Sequence, residues 1–541
     1  MLKSILHWLE QNLFSLGREM RLSYLPPLMV YMAAGISGLT AIVGTFFVKE
    51  YLGLSAAFMA ALGFWANIPW ALKMPMGHLV DLIWRWKAIL VYVGALLIAI
   101  SLLIMIGLLA DRSTMTAVMP AGAWFVLSTL LAPIGFVIQD TVADGMTVEA
   151  VPHFDDKGEP INAAQLKLMH TTMQTLGRVA IIGGSVLVAV INVVMFDDVE
   201  NLSEADKAQV YLDIYTLALI IPAISILGVL FASYIKRRDM REKLNQGMSR
   251  EEADRQMHLG IEKTAPNWWI LGGSLVFVVF TIGMGFSGYR YNQEIIFIGS
   301  FAIVSFLIVK LTRELDATAK RTLVGTAIII FVFRAVPLQG AGLTWWMIDD
   351  LKFDQQFLSV LSLIGGVLTL VGMFIFRRFM AERSIAYVIG MLTIAGTLLT
   401  LPFLGMYYGM HEWTSSITAG VVDARFIAVV NTALESPLGQ IAMIPMLAWI
   451  ANSAPKNLKA TFFAVMASFT NLALSASNLG TKYLNQIYVI TREVKDPVTQ
   501  QIEVAADYSQ LGDLIWATII IGLVLPIAAI LIVRYSRLRW A

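Results

Sequence analysis

Six ionisable residues lie in otherwise apolar surroundings: Lys73, Asp140, Asp144, Arg178, Arg334 and Glu435. An ionised side chain at mid-membrane costs about 2.5–3.5 kcal/mol on insertion scales, so each needs a partner, water or a task. Asp140 and Asp144, in "GFVIQDTVADGMTVEA", are spaced i, i+4, which puts both on one face of a helix. Like charges there repel unless a cation or proton intervenes, and Lys73 is the nearest intramembrane cation by depth. The expected chemistry is a Lys–Asp pair on a transport path, formed in one state and broken in the other, with Gln139 beside it. The plainer alternative is a helix that ends early, with both aspartates capping its wet end. His170, Gln174 and Arg178 recur at i, i+4 and i+8, a stripe that suits either a helix contact or a path. Arg334 precedes Pro337 and Gln339, and Glu435 precedes Ser436, Pro437 and Gln440, so both helices should be distorted there. Glu435 is the deepest acid and the first choice for a proton carrier, with Gln440 on the same path. Trp345 and Trp346 read as a pair in the interfacial belt, with stacking on a substrate as the alternative.

These residues need spans to hold them. The chain is 57% hydrophobic and 14% charged, against about 25% charged in soluble proteins. Mean hydropathy is +0.71. Windows of about 20 apolar residues fall near 25–48, 56–76, 88–110, 118–145, 165–195 and 211–235, then 268–287 and 294–310. Six more fall near 321–342, 356–376, 384–405, 422–451, 459–487 and 510–534. The expected fold is an all-α polytopic membrane protein of 14 helices. Residues 25–235 and 311–541 form two six-helix bundles, and 268–310 adds a peripheral hairpin. Residues 1–24 read as an amphipathic segment lying on the membrane, and 236–267 as a charged cytoplasmic linker. Placing both termini in the cytoplasm of a cell (inner) membrane puts most of the 39 Lys and Arg on the cytoplasmic side. Two such bundles joined by a central loop is the plan of major-facilitator transporters.

Other classes find little support. A net charge of +1 gives no reason to expect a nucleic-acid partner, and the chain has no cysteine. The six histidines lack metal-ligand spacing, and no Ser/His arrangement, phosphate loop or cofactor motif is present, so an enzyme is not expected.

Five segments resemble the folate–biopterin transporter family of the major facilitator superfamily: "IPWALKMPMGHLVD", "QDTVADGMTVE", "LGRVAIIGGS", the stretch from "RAVPLQGAG" onward, and residues 438–480, "LGQIAMIPM…SASNLG". The family's Lys-Pro is Lys73-Met74-Pro75 here, the usual Arg after Glu149 is missing, and the hairpin is extra. The resemblance implies a major-facilitator fold with a cavity lined by the first and fourth helices of each half. It implies folate- or pterin-like solutes moved with protons, by a monomer in a lipid bilayer. It also turns Glu149, a surface charge by spacing, into part of a cytoplasmic gate with Gly77, Asp81 and Arg85, where Asp81 would cap the start of the eleventh helix near residues 458–461. A muropeptide or acyl-CoA permease, or a non-transporting membrane sensor, is the alternative.

Overall fold

The computed structural model describes residues 20–47, 54–71, 73–83, 86–152, 161–197, 199, 202–257, 266–313, 315–376, 379, 383–439, 441, 459–495 and 502–540. The expected amphipathic segment at 1–24 lies almost wholly outside these residues.

The first half begins with α1 (Leu25–Ile36), which passes through a 3-10 turn into α2 (Ala41–Phe47). Next come α3 (Ala56–Ala71), α4 (Lys73–Leu82), α5 (Lys87–Ala110), α6 (Arg112–Val118), α7 (Ala121–Ala150), α8 (Ala163–Met195), α9 (Glu204–Ala218) and α10 (Ile220–Asn245). α10 runs on past the apolar stretch into the charged linker, where α11 (Arg250–Met257) follows. The hairpin is α12 (Trp268–Phe286) and α13 (Asn292–Leu311). The second half holds α14 (Ala317–Arg334), α15 (Ala341–Asp349), α16 (Gln355–Ile375), α17 (Ile385–Tyr407), α18 (Met410–Ile417), α19 (Ala424–Glu435), α20 (Lys459–Ile487) and α21 (Leu511–Tyr535). Between α20 and α21 a short antiparallel pair forms, β1 (Val494–Lys495) with β2 (Ile502–Val504).

Asp316, Asp354 and Asp423 cap α14, α16 and α19 by accepting hydrogen bonds from backbone N–H groups of the first turn. That satisfies donors the helix itself cannot. Ten helical stretches among the described residues are long and apolar enough to cross a membrane. The other four windows of the sequence reading fall on α3–α4, α14–α15, α19 and α20. These carry charges or breaks, or run to the edge of the described residues.

Within the first half α7 lies against α5, and α8 and α10 lie against α1. Glycine permits two of these approaches. A Cβ on Gly135 would come within 2.6 Å of the Gly94 carbonyl oxygen, and one on Gly35 within 2.2 Å of that of Ile181. Ser101 and Ser128 exchange hydroxyl-to-carbonyl bonds of 2.8 and 2.9 Å across the α5–α7 seam. Two further seams join the halves, α3 on α20 and α8 on α16.

Both ends of the described chain lie at one face, since α14 antiparallels α21 and Ser23 at the start of the chain bonds to Ala150 at the end of α7. At the opposite face the halves are closed on each other. Trp345 and Ile348 of α15 pack into the first half's cluster with Phe46, Phe47, Phe196 and Tyr211. Gln355 donates to the Tyr211 hydroxyl at 2.8 Å, and Gln356 to Asp197 at 2.9 Å. Trp345 and Trp346 are 1% and 3% exposed, so neither lies in an interfacial belt: Trp345 belongs to this closure, and Trp346 is buried within the second half with Phe353, Leu404 and Leu514. The Arg492 guanidinium sits 5.1 Å from the Trp345 ring.

Candidate substrate and ion site

Position along α7 decides what each polar residue does. Asp140 and Asp144 share the face turned toward α1 and α4. Gln139, one residue earlier and about 100° round the helix, turns toward α5 and α10. It is 2% exposed, donates to the Val91 carbonyl at 3.1 Å and accepts from the Ser225 hydroxyl at 2.9 Å. The expectation that Gln139 stands on the path with the aspartates is therefore corrected: its amide is consumed by the seam that fixes the rotation of α7.

On the facing side Lys73, the first residue of α4, reaches Asp140 at 2.6 Å and Asp144 at 2.8 Å. One ammonium thus bridges both carboxylates and removes the i, i+4 repulsion. The Tyr31 hydroxyl of α1 donates to Asp144 at 2.6 Å. The cluster is graded in exposure: Lys73 and Asp140 are 17% and 12% exposed, Asp144 41%. Asp144 is the member nearer the face that carries the chain ends. Sequence reading missed Tyr31, because a tyrosine in an apolar helix carries no signal of what its hydroxyl meets.

All four residues belong to the first half. The expected Lys–Asp pair is formed, and it joins helices of one bundle. Tyr31, Lys73, Asp140 and Asp144 thus form a cluster inside one bundle. Arg178 on α8 lies within the electrostatic reach of Asp140 and Tyr31, and of Arg334 at the end of α14 in the other half. Two cations from opposite bundles thus lie within each other's field. Among the described residues no acid forms an ion pair with Arg178.

The break after Arg334 is present: α14 stops there and α15 starts at Ala341. α20 supplies the missing backbone partners. Ser477 donates to the Val336 carbonyl at 2.6 Å, Thr481 accepts from the Leu338 N–H at 2.9 Å, and Asn485 donates to the Gln339 carbonyl at 3.1 Å. Gln339 itself bonds to Thr518 of α21 at 2.9 Å. Glu435 is the exposed last residue of α19, where the helix tightens to a 3-10 turn over Ser436–Leu438. No other described charge stands against it, and the structure does not bring it to the Lys73 cluster.

At the chain-end face Glu149 of α7 pairs with Lys87 of α5 at 2.5 Å. This ties the end of α7 to the turn after α4. Gly77 lies within α4, which packs against α20. Arg85 and Gln440 lie outside the described residues, as do the side chains of Asp81, His170 and Gln174.

Solved structures share this fold. A POT family transporter in complex with 5-aminolevulinic acid superposes with a TM-score of 0.59 at 14% identity, covering 94% of this chain and 95% of that one. A nucleoside transporter superposes with a TM-score of 0.54 at 12% identity, covering 94% and 99%. Among curated proteins, the folate-biopterin transporter of Synechocystis is 26% identical over 158 residues, 29% of this chain and 31% of that protein. The putative folate transporter 2 of Plasmodium berghei is 25% identical over 163 residues, 30% of this chain and 34% of that protein. The matched stretches thus span about a third of each relative. Residues 34–538 match the profile of the BT1 family. With the major-facilitator architecture and a charge cluster inside its first bundle, the chain belongs to the BT1 family.

Proposed function

We propose that the chain is a secondary transporter of a folate- or pterin-like anionic heterocycle, working by alternating access. The observation that carries this reading is the Lys73–Asp140–Asp144–Tyr31 cluster inside the first bundle, with Arg178 and Arg334, from opposite bundles, within each other's field. Like charges repel with an energy of about 332/(εr) kcal/mol, large where water is scarce and ε is small, and an anion between them is attracted by both. A carboxylate accepts two parallel bonds from a guanidinium, which suits arginine to a glutamate-like tail. The relatives named as folate transporters support the solute class. Within the same proposal stand fourteen spans, a monomer, both termini on the cytoplasmic side of a cell membrane, and proton coupling through Glu435. So do the roles of Gly77, Asp81, Arg85 and Glu149 at the cytoplasmic gate and of Gln440 on the path.

The test is uptake by proteoliposomes holding the purified protein, offered folate, biopterin, a muropeptide and an acyl-CoA with and without an imposed proton gradient. Folate or biopterin should accumulate, and Arg178→Gln and Arg334→Gln should each raise the half-saturating folate concentration at least about tenfold. Accumulation of the muropeptide or acyl-CoA alone would replace this reading with the permease alternative. Glu435→Gln should abolish gradient-driven accumulation while leaving exchange of solute across the membrane. Unchanged accumulation would remove Glu435 from the coupling.

A further inference from the structure

A partly open cavity of about 360 Å³ lies within the first bundle, lined by the 3-10 turn after α1 and by α2, α3, α5, α7, α9 and α10. Its wall on α7 includes Thr129, Pro133 and Phe136, and its wall on α3 includes Ala66. Phe136 precedes Asp140 by one helical turn, and Ala66 precedes Lys73 on the same span. Asp140 of the ion cluster thus follows the cavity's last lining residue on α7 by roughly 6 Å along the helix axis.

The lining is apolar with hydroxyls set into it and carries no charge. Met59, Met105, Phe125 and Phe136 offer broad, polarisable faces. Ser37, Thr40, Thr129 and Tyr215 offer groups that both donate and accept. Ser37 and Thr129 make no side-chain hydrogen bond among the described residues. Pro133 adds a backbone acceptor, because a proline cannot donate the helical bond to the carbonyl four residues earlier, that of Thr129. The wall at Thr129 thus presents a hydroxyl and a carbonyl that the α7 ladder leaves unused.

Ligand pockets run from about 300 to 1,000 Å³, so this one has room for a fused ring pair and not for a long appended chain. We propose that it is the ring pocket of the transport site: a planar, uncharged nitrogen heterocycle with alternating donors and acceptors lies between the methionines and phenylalanines, its polar edge against Thr129 and its rim over the Lys73 cluster. Any anionic tail leaves the pocket toward Arg178 and Arg334. The inference rests on the transport reading above and adds that the ring is recognised by one bundle alone, the tail by both.

The chain has no cysteine, which makes the test direct. In the purified full chain, Thr129→Cys should react with a small maleimide, and biopterin should slow the reaction at least about fivefold. The tail fragment p-aminobenzoylglutamate should not slow it. Ala132→Leu, which fills the same cavity from α7, should weaken biopterin binding about tenfold or more, read by the shift in melting temperature, and leave the tail fragment's shift unchanged. Biopterin that raises the melting temperature of both Thr129→Cys and Ala132→Leu as in the unaltered chain, without protecting the cysteine, would overturn the ring pocket and leave the transport reading standing. Failure of biopterin and folate alike to raise the melting temperature of the unaltered chain, with no uptake of either, would overturn the transport reading and the pocket with it.

Discussion

At the scale of single residues, the Lys73–Asp140 pair has the clearest energetic consequence. Both groups are largely out of water, so removing Lys73 strands Asp140, at a cost of about 3–5 kcal/mol, whereas removing Asp140 leaves Lys73 its second partner, Asp144, and should cost less. Lys73→Met and Asp140→Asn should each lower the melting temperature and abolish uptake. The double variant should recover much of the stability and none of the transport. A double-mutant cycle on thermal unfolding checks this, and simple additivity would show that the two side chains do not interact. Asp144 should matter less for stability, since it is the most exposed of the three. Gln139→Leu separates structure from transport: it should cost about 1–3 kcal/mol of stability through the orphaned Ser225 and Val91 groups, and leave the half-saturating solute concentration unchanged in whatever protein folds. A shift in that concentration would return Gln139 to the path.

At the scale of elements, the hairpin is fastened more firmly than its apolar sequence suggests. Lys482 of α20 bonds to Glu294 at 2.7 Å and to Gln293 at 3.1 Å, and the Tyr483 hydroxyl donates to Glu294 at 2.6 Å. Gln293 also donates to the Ala61 carbonyl of α3 at 3.2 Å. At the other end the Asn267 N–H donates to His78 Nε2 of α4 at 2.9 Å. Phe277 and Ile296 fill the space between, against Phe64, Ile68, Leu472 and Leu479. The hairpin therefore straddles the α3–α20 seam and holds a helix from each bundle. Lys482→Met leaves Glu294 without its cation and should cost about 3–5 kcal/mol. Limited proteolysis of the loop around residue 288 should then speed up relative to the unaltered chain. An unchanged cleavage rate would mean that apolar packing alone docks the hairpin.

At the scale of the whole molecule, the closure at the face opposite the chain ends has to open if solute is to pass. Tyr508 reinforces it: its hydroxyl donates to Asp349, and burial pushes the phenol above its ordinary range, so it remains a donor at any physiological pH. Gln356 and Asp197 meet across the two bundles, and the absence of native cysteine makes a cross-link there unambiguous. Oxidising the Gln356→Cys/Asp197→Cys variant should stop uptake, and reduction should restore it. Uptake that continues while the cross-link is intact would show that this face does not open during transport.

Much of the site was legible in the sequence, because an ion in an apolar run is costly and the i, i+4 rule places Asp140 and Asp144 on one face whatever the tertiary structure. The pairing of Lys73 with both follows from that cost. So does the distortion after Arg334, which Pro337 imposes locally, and membrane insertion itself, which composition decides. The rest depended on packing. One residue of rotation separates Asp140 from Gln139, and only the close approach of Gly135 to Gly94 and the Ser101–Ser128 exchange set that rotation. Trp345 and Trp346 have the composition of a membrane-interface pair, yet contact with the other bundle buries Trp345 and packing within the second half buries Trp346. That the charge cluster lies within one bundle, and the two arginines lie across the interface, is a fact about which helices are neighbours. No local pattern of residues encodes it, because adjacency between distant helices arises from the side-chain shapes of both partners at once.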